Sequence, residues 1–262
     1  MILLDHDCST LQKLYKPATH RLLGAVQVAV MTPEGNRLGY SGDFGWPLED
    51  VIKVGSLVVD STYGSPESVR SYSQADADEA FREIVAKRIK RGPILIKAHR
   101  GTLHRALELL NDLVSCPVIA SKKKIEEASV HEKYGYCICK IIDSESTEVR
   151  EFRKMGRFIE LYYIGEQTLY GGANSTVINL TANWVNGLCP YLEISDSTYN
   201  IAISDHADFN ETLEYVRETE AKIVMTDSTR SNNAADLANA ITKRLGIKAF
   251  AAHPTFTKAW GV

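Results

Sequence analysis

Short apolar runs, each closed by a cluster of small or ionisable residues, punctuate the chain. Val26–Val30 and Leu38–Ser41 flank a Pro33-Glu-Gly35-Asn36 turn and predict a β-hairpin. Antiparallel pairing would carry His20, just before the first strand, and Asp43, just after the second, to the same edge of a sheet. Leu57–Val59 reads as a buried strand ending at Asp60. The pattern then changes. Residues 76–91 put Ala80, Phe81, Ile84, Val85 and Ile89 on one helical face, with Gly92-Pro93 as the stop. A strand at Ile94–Ile96, a helix over 102–113, a strand at Cys116–Ala120, a lysine-rich turn and a helix from Ile125 follow. That alternation predicts a parallel sheet covered by helices. Residues 144–157 are charged and show no clear period. Strands at 158–163, 176–180 and 200–203, a helix over 210–218, a strand at 222–225, a helix over 234–245 and a strand at 247–251 complete the reading.

Three of the runs end in residues able to do chemistry. They are Tyr40-Ser-Gly-Asp43-Phe44, Val58-Val-Asp60-Ser61-Thr62-Tyr-Gly64, and Ile201-Ala-Ile-Ser-Asp205-His206-Ala-Asp208. Buried strands hold the backbone still while their loop ends stay accessible, so acids and a histidine at three such ends predict one catalytic or metal-binding cleft.

Composition narrows the class. At 262 residues and 44% hydrophobic content the chain can bury the core of one large or two small domains. A net charge of −3 argues against coating nucleic acid through bulk positive charge, leaving only a local basic groove. Five cysteines, of which only Cys137 and Cys139 lie close together, fit neither a zinc ribbon nor a thioredoxin motif and point to reduced thiols in the cytoplasm. No leader sequence and no apolar run of the roughly 18–20 residues a membrane span needs is present, so no membrane partner is expected.

The order of the motifs resembles the metallo-β-lactamase-fold nucleases that carry an inserted β-CASP domain. The resemblance rests on His20-Arg-Leu-Leu-Gly24, Tyr40-Ser-Gly-Asp43-Phe44, Asp60-Ser-Thr-Tyr-Gly64 and Ser204-Asp-His206-Ala-Asp208, and covers nearly the whole chain. It implies an α/β (α+β sandwich) protein: a partial metallo-β-lactamase αββα fold over 1–64 and 186–262, with a Rossmann-like β-CASP insert over 65–185. It also implies a metal-dependent phosphodiesterase, a nuclease or exonuclease acting on RNA or DNA with Zn2+ or Mn2+. In that scheme His20 and Asp43 are metal ligands, and Asp60 and His206, beside Asp205, form the acid pair that protonates the leaving oxygen.

The chain departs from the family pattern in two places. Nothing spells the family's His-x-His-x-Asp-His signature, and Thr226-Asp227-Ser228 stands where a late metal-binding histidine is usual. Asp227 could ligate through oxygen or cap a turn. The resemblance therefore implies a member lacking the first half of its metallo-β-lactamase domain, with further ligands from a missing segment or a partner. A halved sandwich would leave an apolar sheet face open, so a dimer mate or second subunit is expected over it. The competing expectation is a metal-free relic that binds nucleic acid or a partner protein without cutting.

Substrate contacts are expected at Ser61 and Thr62, and at His99, Arg100, Thr102 and Arg105, where a strand end meets a helix start and backbone amides could grip a phosphate. The alternative for the second group is a solvated loop with Thr102 as N-cap. Lys122-Lys-Lys124 reads as a solvated turn, Trp46 as a packing residue, and His131 as an isolated histidine.

Overall fold

The computed structural model describes residues 12–17, 23–168, 170, 172, 174–183, 187–229 and 232–252, and His20 lies outside them. The chain forms two compact units, residues 1–69 with 205–262, and residues 70–204. The expected boundaries at 64/65 and 185/186 thus fall at 69/70 and 204/205. The later return follows from two strands after 185 that pair into the second sheet.

The first unit is built on a six-stranded mixed sheet. Its strands are β1 (Gln12–Pro17), β2 (Val26–Met31), β3 (Arg37–Tyr40), β4 (Ser56–Val59), β12 (Ile223–Thr226) and β13 (Lys248–Ala251), in that spatial order. β1, β2 and β3 pair antiparallel, and β3, β4, β12 and β13 run parallel. The expected hairpin is β2–β3, with Thr32 and Asn36 closing its turn.

Helices α5 (Phe209–Glu218) and α6 (Ala234–Ala240), whose last turn widens over Ile241–Leu245, bury one face of that sheet. Leu57, Val59 and Val224 meet Phe209, Tyr215, Val216, Leu237 and Ile241 in one apolar core. A buried Gln27 on β2 is satisfied within it: its Oε1 accepts from the Tyr215 hydroxyl at 3.1 Å and from Ile52 N–H at 3.2 Å, and its Nε2 donates to Asp50 O at 2.8 Å. Those bonds offset the cost of burying an amide. Trp46 packs edge-on against Tyr215 at 6.4 Å between ring centroids, as expected of a packing residue.

The opposite face of the sheet carries a continuous apolar row. Val28, Tyr40, Val58, Met225 and Phe250 stand side by side across five strands. Period-two alternation explains why: residues one step along each strand face the helices. Leu57 is 2% exposed on the covered face and Leu38 46% on the other.

The second unit holds a seven-stranded sheet of β5 (Ile94–Ala98), β6 (Val118–Ala120), β7 (Ile141–Asp143), β8 (Ile159–Tyr163), β9 (Thr176–Leu180), β10 (Tyr191–Ser195) and β11 (Thr198–Ile201). The spatial order is β10-β11-β9-β5-β8-β6-β7, and all neighbours are parallel except β10–β11. Helices α1 (Gln74–Arg88) and α2 (Arg100–Asn111) share the main core with β5, β6, β8 and β9. Residue Ala128 of α3 (Lys122–Lys133) joins that core, whereas α4 (Val149–Met155) packs with Ile119 and Phe158 in a separate cluster. This is the helix-covered parallel sheet that the strand–helix alternation predicts.

Several boundaries differ from expectation for identifiable reasons. α1 starts at Gln74 because Ser73 and Asp76 form a reciprocal capping box. α3 starts at Lys122, so the three lysines form its first turn rather than a solvated turn, and Lys124 is buried. β7, α4 and β10 were not legible as elements. No helix among the described residues is long and apolar enough to cross a membrane.

The two faces of the first sheet make a paired prediction. Leu57→Ala should cost about 2–5 kcal/mol in denaturant unfolding, and Leu38→Ala about 0.5 kcal/mol or less. Equal losses would mean that both faces are covered in the folded chain.

Candidate active site

Asp60 follows β4 directly, and the Tyr40-Ser41-Gly42-Asp43 stretch leaves the end of β3 beside it. Parallel pairing of β3, β4 and β12 brings their carboxyl ends to one edge. Ser41, fully buried, ties the two ends together: its Oγ accepts from Asp60 N–H at 3.0 Å and donates to Gly42 O at 2.7 Å. Gly42 has φ +62°, and a Cβ there would stand 2.6 Å from Val26 O, so the turn that aims Asp43 needs glycine.

His206 arrives from the far end of the chain. Ala207 N–H donates to Phe44 O at 2.7 Å, docking its loop onto the Asp43 loop. The next residue, Asp208, caps α5 with a capping box: its carboxylate accepts from Glu211 N–H at 2.9 Å and Glu211 accepts from Asp208 N–H at 2.7 Å. The Asp-His-Ala-Asp spelling is thus explained at both acids flanking Ala207 and His206: Asp208 is a cap, and Asp205 is a buried neighbour whose charge acts on the imidazole.

The site itself is compact. His206 Nδ1 lies 2.8 Å from Asp60 Oδ2. Thr62 donates to Asp60 Oδ1 from both its N–H, at 3.0 Å, and its hydroxyl, at 2.7 Å. Asp43, Asp60 and His206 each offer a ligand atom, all within 4.8 Å of one another. The Tyr63 ring stands edge-on to the imidazole at 6.0 Å.

Burial alone would push the Asp60 carboxyl up, but the bond and charge of His206 together with the Thr62 donors hold it below the usual 3.8. Burial would likewise push His206 down, but the bond to Asp60 and the charges of Asp60, Asp43 and Asp205 hold it above 6.5. With Nδ1 committed to Asp60, the ring turns Nε2 away from that carboxylate. A carboxylate-oriented imidazole of this kind can pass a proton near neutral pH or ligate a metal through Nε2.

The other expected site residues have different work. Ser61 is buried and its hydroxyl donates to Asp227 O, so it joins β4 to β12 instead of facing a substrate. Thr62 orients Asp60. Asp227 accepts from Thr229 N–H at 2.8 Å, as a turn aspartate does, and is not among the three clustered donors.

In the second unit Arg105 is committed to Asp78 and, at 2.8 Å, to Glu108, which corrects its reading as a phosphate contact. Thr102 is buried inside α2, and the N-cap is His99, which is exposed. Arg100 is exposed and pairs with Glu127 at 3.2 Å. Sequence reasoning also missed that His131 is not isolated. It stacks on His104 at 3.7 Å between ring centroids, and burial followed by the His131 charge pushes His104 down to about 4. Cys116, Cys137 and Cys139 are free thiols, and burial pushes Cys139 up to about 12.

No family model matches the chain. An uncharacterised protein from the lig 3′ region of Acidianus ambivalens is 29% identical over 127 residues, spanning 47% of this chain and 90% of the relative. A crystal structure of a protein of unknown function from Enterococcus faecalis V583 is similar over 93% of this chain, with a TM-score of 0.57 and 12% identity. This chain spans 62% of that protein's length. The likeness concerns the fold alone: the chain is an α/β protein of two units with mixed sheets, and a carboxylate–imidazole cluster lies at the strand ends of one of them.

Opposite shifts in the pair set the pH dependence. The lowered Asp60 contributes stability above its unfolded value near 3.8, and this is lost as pH falls through the folded value. The raised His206 contributes fully below 6.5 and loses its share as pH rises through its folded value. The melting-temperature gap between wild type and Asp60→Asn should therefore be widest between about pH 4 and about pH 6.5 and shrink on both sides. A gap that is flat with pH would show that the pair carries no linked charge.

Proposed function

We propose that this chain is a metal-dependent phosphodiesterase of the metallo-β-lactamase/β-CASP type that cuts RNA or DNA. The observation that carries the reading is the 2.8 Å bond from His206 Nδ1 to Asp60 with Asp43 in reach of both. The order of the pieces supports it as well: the Asp43 and Asp60 loops precede an α/β insert over 70–204, and the His206 loop follows.

The donor chemistry suits a divalent cation. Both Asp60 oxygens already accept protein hydrogen bonds, from Thr62 and His206, which fits an orienting carboxylate. Asp43 is then the carboxylate that holds metal, with His206 Nε2 facing either metal or the leaving oxygen. A bound cation of this type lowers the pKa of water and neutralises an attacked phosphate. In the reading preferred here His206 gives its Nε2 proton to the leaving oxygen, and Asp60 holds the ring and balances the imidazolium. Zinc takes about four ligands, so the clustered donors need additions from beyond the described residues.

The apolar row Val28–Tyr40–Val58–Met225–Phe250 supports the expected partner: a dimer mate or second subunit that lays a sheet over this face. One observation favours a second reading, a metal-free relic that binds nucleic acid or a protein. Asp227, at the position of the late ligand, gives one carboxylate oxygen, Oδ1, to Thr229 N–H.

Metal analysis of the purified chain, with cleavage of RNA and DNA measured with and without Zn2+ or Mn2+, separates the two. His206→Ala should lower cleavage by about 10²–10⁴-fold with metal content unchanged, and Asp43→Ala should lose both. Equal metal loss in the two variants would show that His206 is a ligand and that these roles are wrongly assigned. Absence of metal and cleavage, with partners supplied, would leave the relic reading standing.

A further inference from the structure

A cleft of about 290 Å³ opens in the second unit at the carboxyl ends of β6, β7 and β8, apart from the Asp43–Asp60–His206 cluster and needing no reading of it. Its position follows from topology. β6 and β8 are neighbours, yet the chain leaves β6 toward β7 on one side and leaves β8 toward β9 on the other. Neighbouring parallel strands whose connections part in opposite directions leave a crevice outside their carboxyl ends, where open α/β sheets bind ligands.

The lining has two chemically distinct ends. At one, Ser121 is the N-cap of α3 without a side-chain capping bond; its Oγ accepts from Lys124 Nζ at 3.4 Å, which leaves the hydroxyl proton to donate. The first-turn amides of a helix have no carbonyl before them and carry partial positive charge. Lys122 and Lys123 are exposed beside them, and Ser144 joins the lining from the end of β7. At the other end is Glu160, only 2% exposed. Its Oε1 pairs with Arg153 at 2.6 Å, and its buried Oε2 has no hydrogen-bond partner among the described residues. A buried carboxylate oxygen left without a donor is costly, and a donor from a ligand relieves that cost. Lys124, buried between these ends, is neutralised by Glu166 at 2.7 Å and lies over the Tyr163 ring.

We propose that this cleft binds a small sugar phosphate, free or as the sugar-phosphate part of a mononucleotide. The phosphate sits on the amino end of α3 with the Ser121 and Ser144 hydroxyls, and a sugar hydroxyl donates to Glu160 Oε2. Anion and donor at opposite ends of one ligand satisfy both ends of the lining. Phosphate alone satisfies one.

Calorimetric titration of the full chain with ribose 5-phosphate, AMP and inorganic phosphate tests this. Ribose 5-phosphate should bind saturably and at least about tenfold more tightly than inorganic phosphate. AMP binding more tightly still would make a nucleotide the source, and equal affinity a free sugar phosphate. Ser121→Asp keeps a good N-cap but sets a carboxylate where the phosphate would lie, so affinity should fall about tenfold or more with an unchanged melting temperature. Glu160→Met removes the acceptor without offering a donor, so the preference for the sugar over bare phosphate should disappear, and the melting temperature reads separately the cost of leaving Arg153 unpaired. Equal affinity for ribose 5-phosphate and inorganic phosphate in the wild type would overturn the proposal. So would no saturable binding of either sugar phosphate up to about 10 mM, or binding of a 5′-phosphorylated oligonucleotide alone.

Discussion

The hydrogen bond between Asp60 and His206 joins two points 146 residues apart in sequence and organises the first unit. A half-buried carboxylate and imidazole are each unfavourable alone, since burial opposes the charged form of both. Together, with two donors from Thr62 on the second carboxylate oxygen, they hold opposite charges over a shared pH range. The surrounding structure serves that contact. Ser41 fixes the start of Asp60, Ala207 docks the histidine loop on Phe44, and the Asp208–Glu211 capping box starts α5 immediately afterwards. Gly42 allows the tight turn that brings Asp43 into the same few ångströms.

The frame behind the site is asymmetric. One face of the six-stranded sheet is closed by α5 and α6, and the other carries apolar side chains in register across five strands. Such a face loses about 25 cal/mol for every Å² left in water instead of being buried. It is the natural seat for the partner proposed above. The second unit obeys a different rule, with helices over a largely parallel sheet and a cleft at the strand ends.

Much of this was legible from local pattern. Short apolar runs bounded by turn residues found β2, β3 and β4, and helical periodicity found α1 and α2, because those signals depend only on neighbours in sequence. The convergence of Asp43, Asp60 and His206 was legible too, since acids and a histidine at strand ends share an edge once the strands run parallel. What escaped depends on distant partners. Arg105 reads as a free cation until Asp78, 27 residues earlier, is brought beside it. Lys124 reads as solvated until Glu166, 42 residues later, and Tyr163 cover it. Ser61 looks like its neighbour Thr62, yet strand pairing sends it to Asp227 while Thr62 turns to Asp60. β10 escaped although Leu192 and Ile194 alternate with Glu193 and Ser195.

Asp60 and His206 act as one charge-paired unit. Titration of the His206 imidazole by nuclear magnetic resonance, in wild type and in Asp60→Asn, tests it most directly. The wild-type imidazole should titrate above 6.5 and lower in the variant, where the bond and charge of Asp60 are gone and only Asp43 and Asp205 oppose burial. An identical titration in both proteins would contradict it.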